Sequence, residues 1–179
     1  MTTISVSRRL TPAPAVACAG CLALAARPSM VLPAFAVTLA VGLAGALAPD
    51  AMQDPTVGPI GWSAVTALGI GAFATIRLTT TIPPGPWSAS RAVMIIAAAI
   101  AEELFFRRFL YGALLRRGES FALLGSALAF AVVHIPAYGV RVFWLDLAAG
   151  LVLSWQRWAS GSWTAPAASH IAANLMTIL

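Results

Sequence analysis

The chain has 179 residues, of which 60% are hydrophobic and 9% charged, and its mean hydropathy is +0.86. Soluble globular domains are roughly half apolar and about a quarter charged, so this composition excludes an ordinary soluble domain and predicts an integral membrane protein. All eleven basic residues are arginines, scattered at the ends of apolar runs. That pattern is typical of membrane topology signals and excludes a nucleic-acid partner.

The length of the chain bounds the number of membrane helices, and its first apolar segment is short. One membrane span needs about 20 apolar residues, so the length predicts an all-α, polytopic transmembrane helical bundle of about six or seven helices, with residues 1–179 as a single domain. A polar start with Arg8 and Arg9 precedes the apolar residues 13–26, which predict either a tilted or interfacial first helix or a signal segment. Within this run, Cys18 and Cys21 lack polarising neighbours, so we interpret them as small residues that pack between helices.

Longer apolar segments follow along the chain. Helices are predicted at about residues 30–47 and 60–76, and the proline-rich segment 77–91, with arginine at both ends, predicts a cytoplasmic loop. The remaining part, about residues 92–179, is the motif-bearing core, and four helices are predicted in it: residues 92–116, 121–135, 142–158 and 165–179. Around the third of these helices are four tryptophans typical of interfacial anchors: Trp144, Trp155, Trp158 and Trp163.

The orientation of the core is not settled by its arginines. Arg116 and Arg117 conflict with Arg77 and Arg91 in the positive-inside count if the helix between the two pairs crosses the membrane completely. A helix that runs only part-way, or is strongly tilted, removes the conflict.

Residues 101–108, AEELFFRR, place charges where a membrane helix is expected to be most apolar. Counted from Ala92, the glutamates lie about 15 Å along the helix, near half the hydrocarbon thickness. Each would cost about 2.5 to 3.5 kcal/mol if it faced lipid, so Glu102 and Glu103 must face protein or a water-filled cavity. Glu103 and Arg107 are i and i+4, so they are expected to pair and to leave Glu102 pointing elsewhere.

The two histidines, His134 and His170, lie in apolar helices of their own. Phe130 lies four residues before His134, and Asn174 lies four residues after His170, so each pair shares one helical face. Either histidine alone is typical of a hydrogen-bonded packing residue. Together with the glutamates, they supply a base for a water and donors for a tetrahedral oxyanion. The inventory predicts hydrolysis inside a membrane.

These residues form three ordered motifs, EExxxR, FxxxH and HxxxN, between residues 102 and 174. On these motifs the chain resembles the CPBP family, the intramembrane CAAX proteases and bacteriocin-processing enzymes also called the Abi family, which include the CAAX prenyl endopeptidases. The resemblance implies a polytopic helical bundle that acts as an intramembrane endopeptidase. CaaX specificity is its weakest part, because the chain is short and leaves little room for a prenyl-binding region.

The resemblance also implies residue roles. Glu102 and His134 are expected to activate the nucleophilic water, and His170 and Asn174 to stabilise the oxyanion. The other motif residues are expected to shape the site: Glu103, Arg107 and Phe130.

The family is classed as metalloproteases, which implies Zn or another divalent metal as a candidate cofactor. One glutamate and two histidines are a familiar zinc ligand set, and the candidate ligands are Glu102, His134 and His170. The chain has no HExxH motif, and spacing alone does not decide whether a metal takes part directly.

The expected partners are a protein or peptide substrate in the membrane and the lipid bilayer itself, and the lysine-free, alanine-rich composition favours a bacterial cytoplasmic membrane. The oligomeric state does not follow from the sequence. Asp146 lies in an apolar helix, where it could join the site or bond a neighbouring helix, and we do not count it as catalytic. Two other hypotheses stay open: a non-catalytic immunity or scaffold protein with a buried polar network, and a small proton-coupled transporter.

Overall fold

A computed structural model of the chain describes residues 13–26, 31–47, 58–79 and 83–179. The predicted polar start with Arg8 and Arg9 lies outside these residues. The described part of the chain is mostly helical and contains no strand, which confirms the all-α fold class. Its elements are α1 (Ala13–Ala25), α2 (Val31–Leu47), α3 (Pro59–Thr79), α4 (Ala89–Glu103), a π-helical segment (Leu104–Leu110), α5 (Tyr111–Leu115), α6 (Glu119–Tyr138), a 3₁₀ turn (Val140–Val142), α7 (Phe143–Ser160) and α8 (Thr164–Leu175).

The number of helices agrees with the prediction. Helix α4, the π-helical segment and α5 follow one another without a break, so the described residues form seven helical rods. The interruption by a π-helical segment was not predicted, since residues 92–116 have the composition of one continuous helix.

The loop before α4 is shorter than predicted. Helix α3 continues through Arg77 to Thr79, and Arg77 Nε donates to the carbonyl of Met176 at 2.9 Å. Helix α4 then begins at Ala89, and the hydroxyl of Ser88 accepts from the backbone N–H of Arg91 at 3.2 Å, as an N-cap residue does. The predicted boundaries at residues 77 and 91 are therefore wrong by a few residues each.

The last helix also differs from its prediction. Helix α8 ends at Leu175, whereas the prediction extends to residue 179. Turn-type bonds close the end of the chain there, including Thr177 N–H to Asn174 O at 3.1 Å. The carbonyl of Thr177 in turn accepts from the backbone N–H of Gly85 at 2.8 Å, which ties the loop before α4 to the end of α8.

Helix α2 packs backbone to backbone against α4. A Cβ added at Gly42 would lie 2.5 Å from Ala101 Cα, and one added at Gly45 would lie 2.5 Å from the carbonyl oxygen of Leu104. Nearby, Arg108 donates through Nη1 to the carbonyls of Gly45 and Ala46, at 2.8 and 2.5 Å. These carbonyls belong to the last turn of α2, where carbonyl groups have no hydrogen-bond partners within their own helix. Arg108 therefore caps α2 from a neighbouring segment.

The apolar core lies where α1, the π-helical segment and α6 meet. Phe106 makes edge-to-face contacts with Phe105 and with Phe130, at centroid distances of 5.0 and 5.4 Å. Such contacts add to the stabilisation from burial alone. The buried members of this core are Leu24, Phe105, Phe106, Phe109, Leu110, Phe130 and Val133.

The cysteines of α1 have different surroundings. Cys21 packs against the apolar core, as predicted, whereas Cys18 is exposed. The packing prediction is wrong for Cys18, whose side chain lies at the exposed edge of the face that Cys21 shares.

Two of the described helices are long and apolar enough to cross a membrane: Ile60–Thr79 in α3 and Glu119–Tyr138 in α6. The exposed face of α6 carries large apolar side chains three or four residues apart, which is one stripe of a helix: Phe121, Leu124, Leu128 and Val132. Trp144 and Trp158 are exposed as well. Their role as interfacial anchors stays a prediction.

Candidate active site

The three motifs lie on neighbouring helices and meet at one cavity. Glu102 is on the last turn of α4, His134 is near the end of α6, and His170 is in α8; these residues are only 6%, 7% and 7% exposed. Glu102 Oε1 lies 3.8 Å from His134 Nε2, and Glu102 Oε2 lies 3.8 Å from His170 Nε2. One carboxylate therefore faces both imidazoles.

Local sequence explains where the histidine helices begin and end. Helix α6 ends one turn after His134, where Pro136 lacks a backbone N–H and Gly139 takes a φ of +85°, a value that favours glycine. In α8, Pro166 lies in the first turn, where its missing N–H has no intrahelical partner to lose. His134 is thus held near a helix end, whereas His170 lies well inside its helix.

Glu103 is the centre of a buried polar network. Its Oε1 accepts from Arg107 Nη1 at 3.2 Å and lies 2.8 Å from His170 Nδ1. Arg107 is fully buried and also donates from Nη2 to the carbonyl of Gly150 in α7, at 3.3 Å. The pairing that the i, i+4 spacing predicts is present, and Glu103 links it to the second histidine.

The hydrogen-bond partners fix the tautomers of both rings. His134 Nδ1 lies 2.6 Å from the carbonyl of Phe130, and His170 Nδ1 lies 2.8 Å from the carboxylate of Glu103. Since both partners only accept, each Nδ1 carries a hydrogen, and in a neutral ring Nε2 then carries a lone pair. Two lone pairs thus face the Glu102 carboxylate at distances too long for a direct hydrogen bond. The space between them suits a donor with two hydrogens, such as a water molecule.

Phe130 forms part of the wall beside the rings. Its ring centroid lies 4.5 Å from that of His134 and 5.7 Å from that of His170. The guanidinium of Arg107 lies 4.6 Å from the same ring, a cation–π contact. Phe130 therefore contacts three members of the site: His134, His170 and Arg107.

The cavity has a volume of about 730 Å³ and extends well beyond the histidines. Asn174, one turn after His170, lines it, as do Glu102, Phe130 and both histidines. Much of the remaining lining is apolar and comes from α2, α3, α4, the 3₁₀ turn and α7: Ala34, Phe35, Phe73, Ile76, Ile95, Ala98, Val142, Leu145, Ala149 and Leu153. The cavity thus combines apolar lining with polar and charged side chains from several helices.

Polar side chains that the sequence analysis did not place in the site also line the cavity, among them Tyr138, Asp146, Arg77 and Arg91. The Tyr138 ring stacks on His134 at a centroid distance of 5.9 Å, and its i+4 spacing from His134 was an available signal. Asp146, which we did not count as catalytic, lines the cavity within electrostatic reach of both histidines. Arg77 and Arg91, interpreted as loop ends, also line it. The two arginines were missed because the loop was predicted too long.

The candidate metal ligands Glu102, His134 and His170 all line this cavity. Among the residues that the structure describes, no group of three His, Cys, Asp or Glu side chains is arranged to hold a metal ion. Zn or another divalent metal stays a prediction, and no step below is routed through a metal.

A comparison with protein families assigns the chain. A family model described as Type II CAAX prenyl endopeptidase Rce1-like matches residues 84–176. The chain belongs to this family. The matched residues contain all three motifs and most of the cavity wall, and the match confirms the resemblance drawn from the motifs.

Membership in the family has two direct consequences. The family consists of membrane proteases, so the protein is a CAAX-protease-like peptidase, and its two long apolar helices agree with a membrane location. No curated protein and no solved structure matches the chain, so this assignment rests on the family model.

Proposed function

We propose that this protein is an intramembrane endopeptidase that hydrolyses a peptide bond with a water activated by Glu102 and His134. One observation carries the proposal: a buried carboxylate faces two imidazole Nε2 atoms at 3.8 Å each, inside an apolar cavity. A carboxylate within reach of a water is the usual general base of hydrolysis. The low exposure of Glu102, His134 and His170 strengthens the polar interactions among them, since screening by solvent is weak where groups are buried.

The proposed reaction begins with a water that donates one hydrogen to Glu102 and the other to His134 Nε2. As the water oxygen bonds to the scissile carbonyl carbon, its proton passes to Glu102. His170 enters the reaction as an imidazolium and keeps both ring hydrogens throughout, so its Nε2–H and the Asn174 amide donate to the oxyanion that forms from the carbonyl oxygen. Glu103 balances the charge of that imidazolium through His170 Nδ1. Glu102 then gives its proton to the leaving nitrogen as the carbon–nitrogen bond breaks.

The proposed substrate is a protein or peptide that enters the cavity from the bilayer. The apolar lining suits apolar side chains beside the scissile bond. The lysine-free, alanine-rich composition of the chain supports a bacterial cytoplasmic membrane as the proposed location.

The first test compares protein and peptide termini by mass spectrometry in membranes from cells with the wild-type protein or Glu102→Gln at matched abundance. Loss of the general base is expected to abolish the wild-type-dependent termini, since general-base catalysis contributes about 10²- to 10⁴-fold. The matched control is Glu119→Gln, because Glu119 is an exposed carboxylate at the start of α6 and does not line the cavity.

Persistence of all termini in a correctly folded Glu102→Gln variant would refute the protease proposal in favour of the buried polar network. The metal prediction is tested on the purified enzyme with a chelator. The metal prediction expects a loss of activity that Zn restores, and retained activity would overturn it. Proton-coupled flux in liposomes, abolished by the same variant, would instead support the transporter hypothesis.

A further inference from the structure

The π-helical segment directly after the two glutamates has an unusual hydrogen-bond pattern. The N–H of Tyr111 bonds to the carbonyl of Phe106, five residues back. A π-helical turn is wider than an α-helical turn and is rare, so something outside the segment must hold it. This segment carries Arg107, which pairs with Glu103.

Two neighbouring helices bond the backbone of the segment through side chains. Ser126 of α6 donates from Oγ to the carbonyl of Phe106 at 2.8 Å. Arg157 of α7 donates from Nε to the carbonyl of Arg107 at 3.1 Å. Both Ser126 and Arg157 are fully buried. Consecutive carbonyls of the π-helical segment are thus held by two different helices.

The contact with α7 runs in both directions. Arg107 donates from its guanidinium to the carbonyl of Gly150 in α7 at 3.3 Å, and its own carbonyl accepts from Arg157. Gly150 lies against α6 so closely that an added Cβ would be 2.9 Å from the carbonyl oxygen of Ala127. Backbone contact between α6 and α7 therefore fixes the position of both donors relative to the segment.

Arg157 has no place in the three motifs, yet it is completely buried. Its guanidinium lies 5.9 Å from the ring of Tyr111, which follows the segment. Because a guanidinium loses much hydration when it is buried, a purely structural filler at this position would be better served by an apolar side chain.

We propose that Arg157, together with Ser126, is a positioning residue for the active site. The two side chains hold the π-helical segment in the register that keeps Arg107 on Glu103, and Glu103 then orients the His170 ring toward Glu102. Arg157 touches no reacting atom and acts through Arg107. This role in catalysis rests on the proposed function, whereas its effect on the segment does not.

The test combines steady-state kinetics on a cleaved substrate with hydrogen–deuterium exchange of the purified protein. In Arg157→Met, kcat is expected to fall about 100-fold, as small misplacements in active sites do, while KM stays within about twofold. Backbone exchange in residues 104–111 is expected to accelerate. Arg157→Lys keeps a charge and a donor, so both readouts should recover in part. Arg117→Met, at an exposed arginine after α5, is the control and should match the wild type.

Ser126→Ala supplies a second variant in case Arg157→Met does not fold, since it removes one hydroxyl only. It is expected to raise exchange in the same residues and to lower kcat. Unchanged exchange and unchanged kcat in folded Arg157→Met or Ser126→Ala would overturn the inference. Failure of the proposed function is distinguishable, because in that case Glu102→Gln keeps activity while the exchange of the segment still responds to Arg157→Met.

Discussion

At the residue scale, one carboxylate oxygen in the candidate active site is shared by two partners. Glu103 Oε1 serves both the guanidinium of Arg107 and the ring of His170, and neither Glu103 nor Arg107 is exposed at all. A buried ion pair contributes little net stability compared with an apolar pair, but removing one partner leaves an uncompensated buried charge. The pair is therefore expected to matter in two separable ways, for folding and for the orientation of His170.

A double-variant series separates these two effects. Arg107→Met alone leaves Glu103 buried without its cation and is expected to lower stability by about 3 to 5 kcal/mol. Adding Glu103→Gln should restore most of that stability, because the charge is gone, but should leave the enzyme with little activity, since His170 loses its anionic partner. Thermal unfolding in detergent and turnover of a cleaved substrate measure the two quantities. A double variant as active as the wild type would show that the network has only a structural role.

At the element scale, the contact between α2 and α4 leaves no room for a side chain. Gly45→Ala would push a methyl group into the backbone at Leu104, beside the glutamates. Overpacking of this kind is expected to cost about 1 to 3 kcal/mol and to displace Glu102 and Glu103 with the helix that carries them, so activity should fall as well.

Gly71 in α3 is the matched control for this substitution. It is also a helical glycine, but an added Cβ would meet nothing within 4 Å. Gly71→Ala is expected to leave activity unchanged and to leave stability unchanged or slightly higher, since alanine favours helix. The melting temperatures and specific activities of the two variants, measured side by side, decide the matter. Equal behaviour of Gly45→Ala and Gly71→Ala would mean that α2 does not press on α4 in the membrane.

The same scale shows what sequence can and cannot predict. Apolar runs predicted the described helices, and the i, i+4 spacing predicted the contact between Glu103 and Arg107. Nothing local predicts the π-helical segment, because it is held by Ser126 and Arg157 on distant helices. The contact of Glu103 with His170 joins residues 67 positions apart. Such a contact depends on how helices pack and leaves no periodic signal in the sequence.

At the scale of the whole molecule, composition and three ordered motifs sufficed for the fold class and the family. The motifs predicted that Glu102, His134, His170 and Asn174 lie together, and all four line one cavity. Their roles in catalysis remain predictions. The cavity itself could not be predicted, because its apolar wall comes from α2, α3 and α7, which carry no motif residue.

The exposed face of α6 tests how the molecule sits in the bilayer. Leu128 is 49% exposed and lies in the apolar stripe of this helix. Leu128→Arg would place a charge against lipid at a cost of about 2.5 to 3.5 kcal/mol near the helix centre, so the fraction of protein that stays in carbonate-washed membranes should drop sharply. Leu128→Ala is the control and should remain membrane-bound. Full retention of Leu128→Arg would show that this face does not contact lipid.

The separation of the proposed catalytic groups over α4, α6 and α8 has a consequence for the newly made enzyme. No single helix, and no pair of helices joined in sequence, contains both the base and the oxyanion donors. A chain halted part-way through membrane insertion therefore holds no assembled site, although its earlier motif residues are already present. Under the proposed roles, newly synthesised copies stay inert toward the proteins around them until α8 has docked.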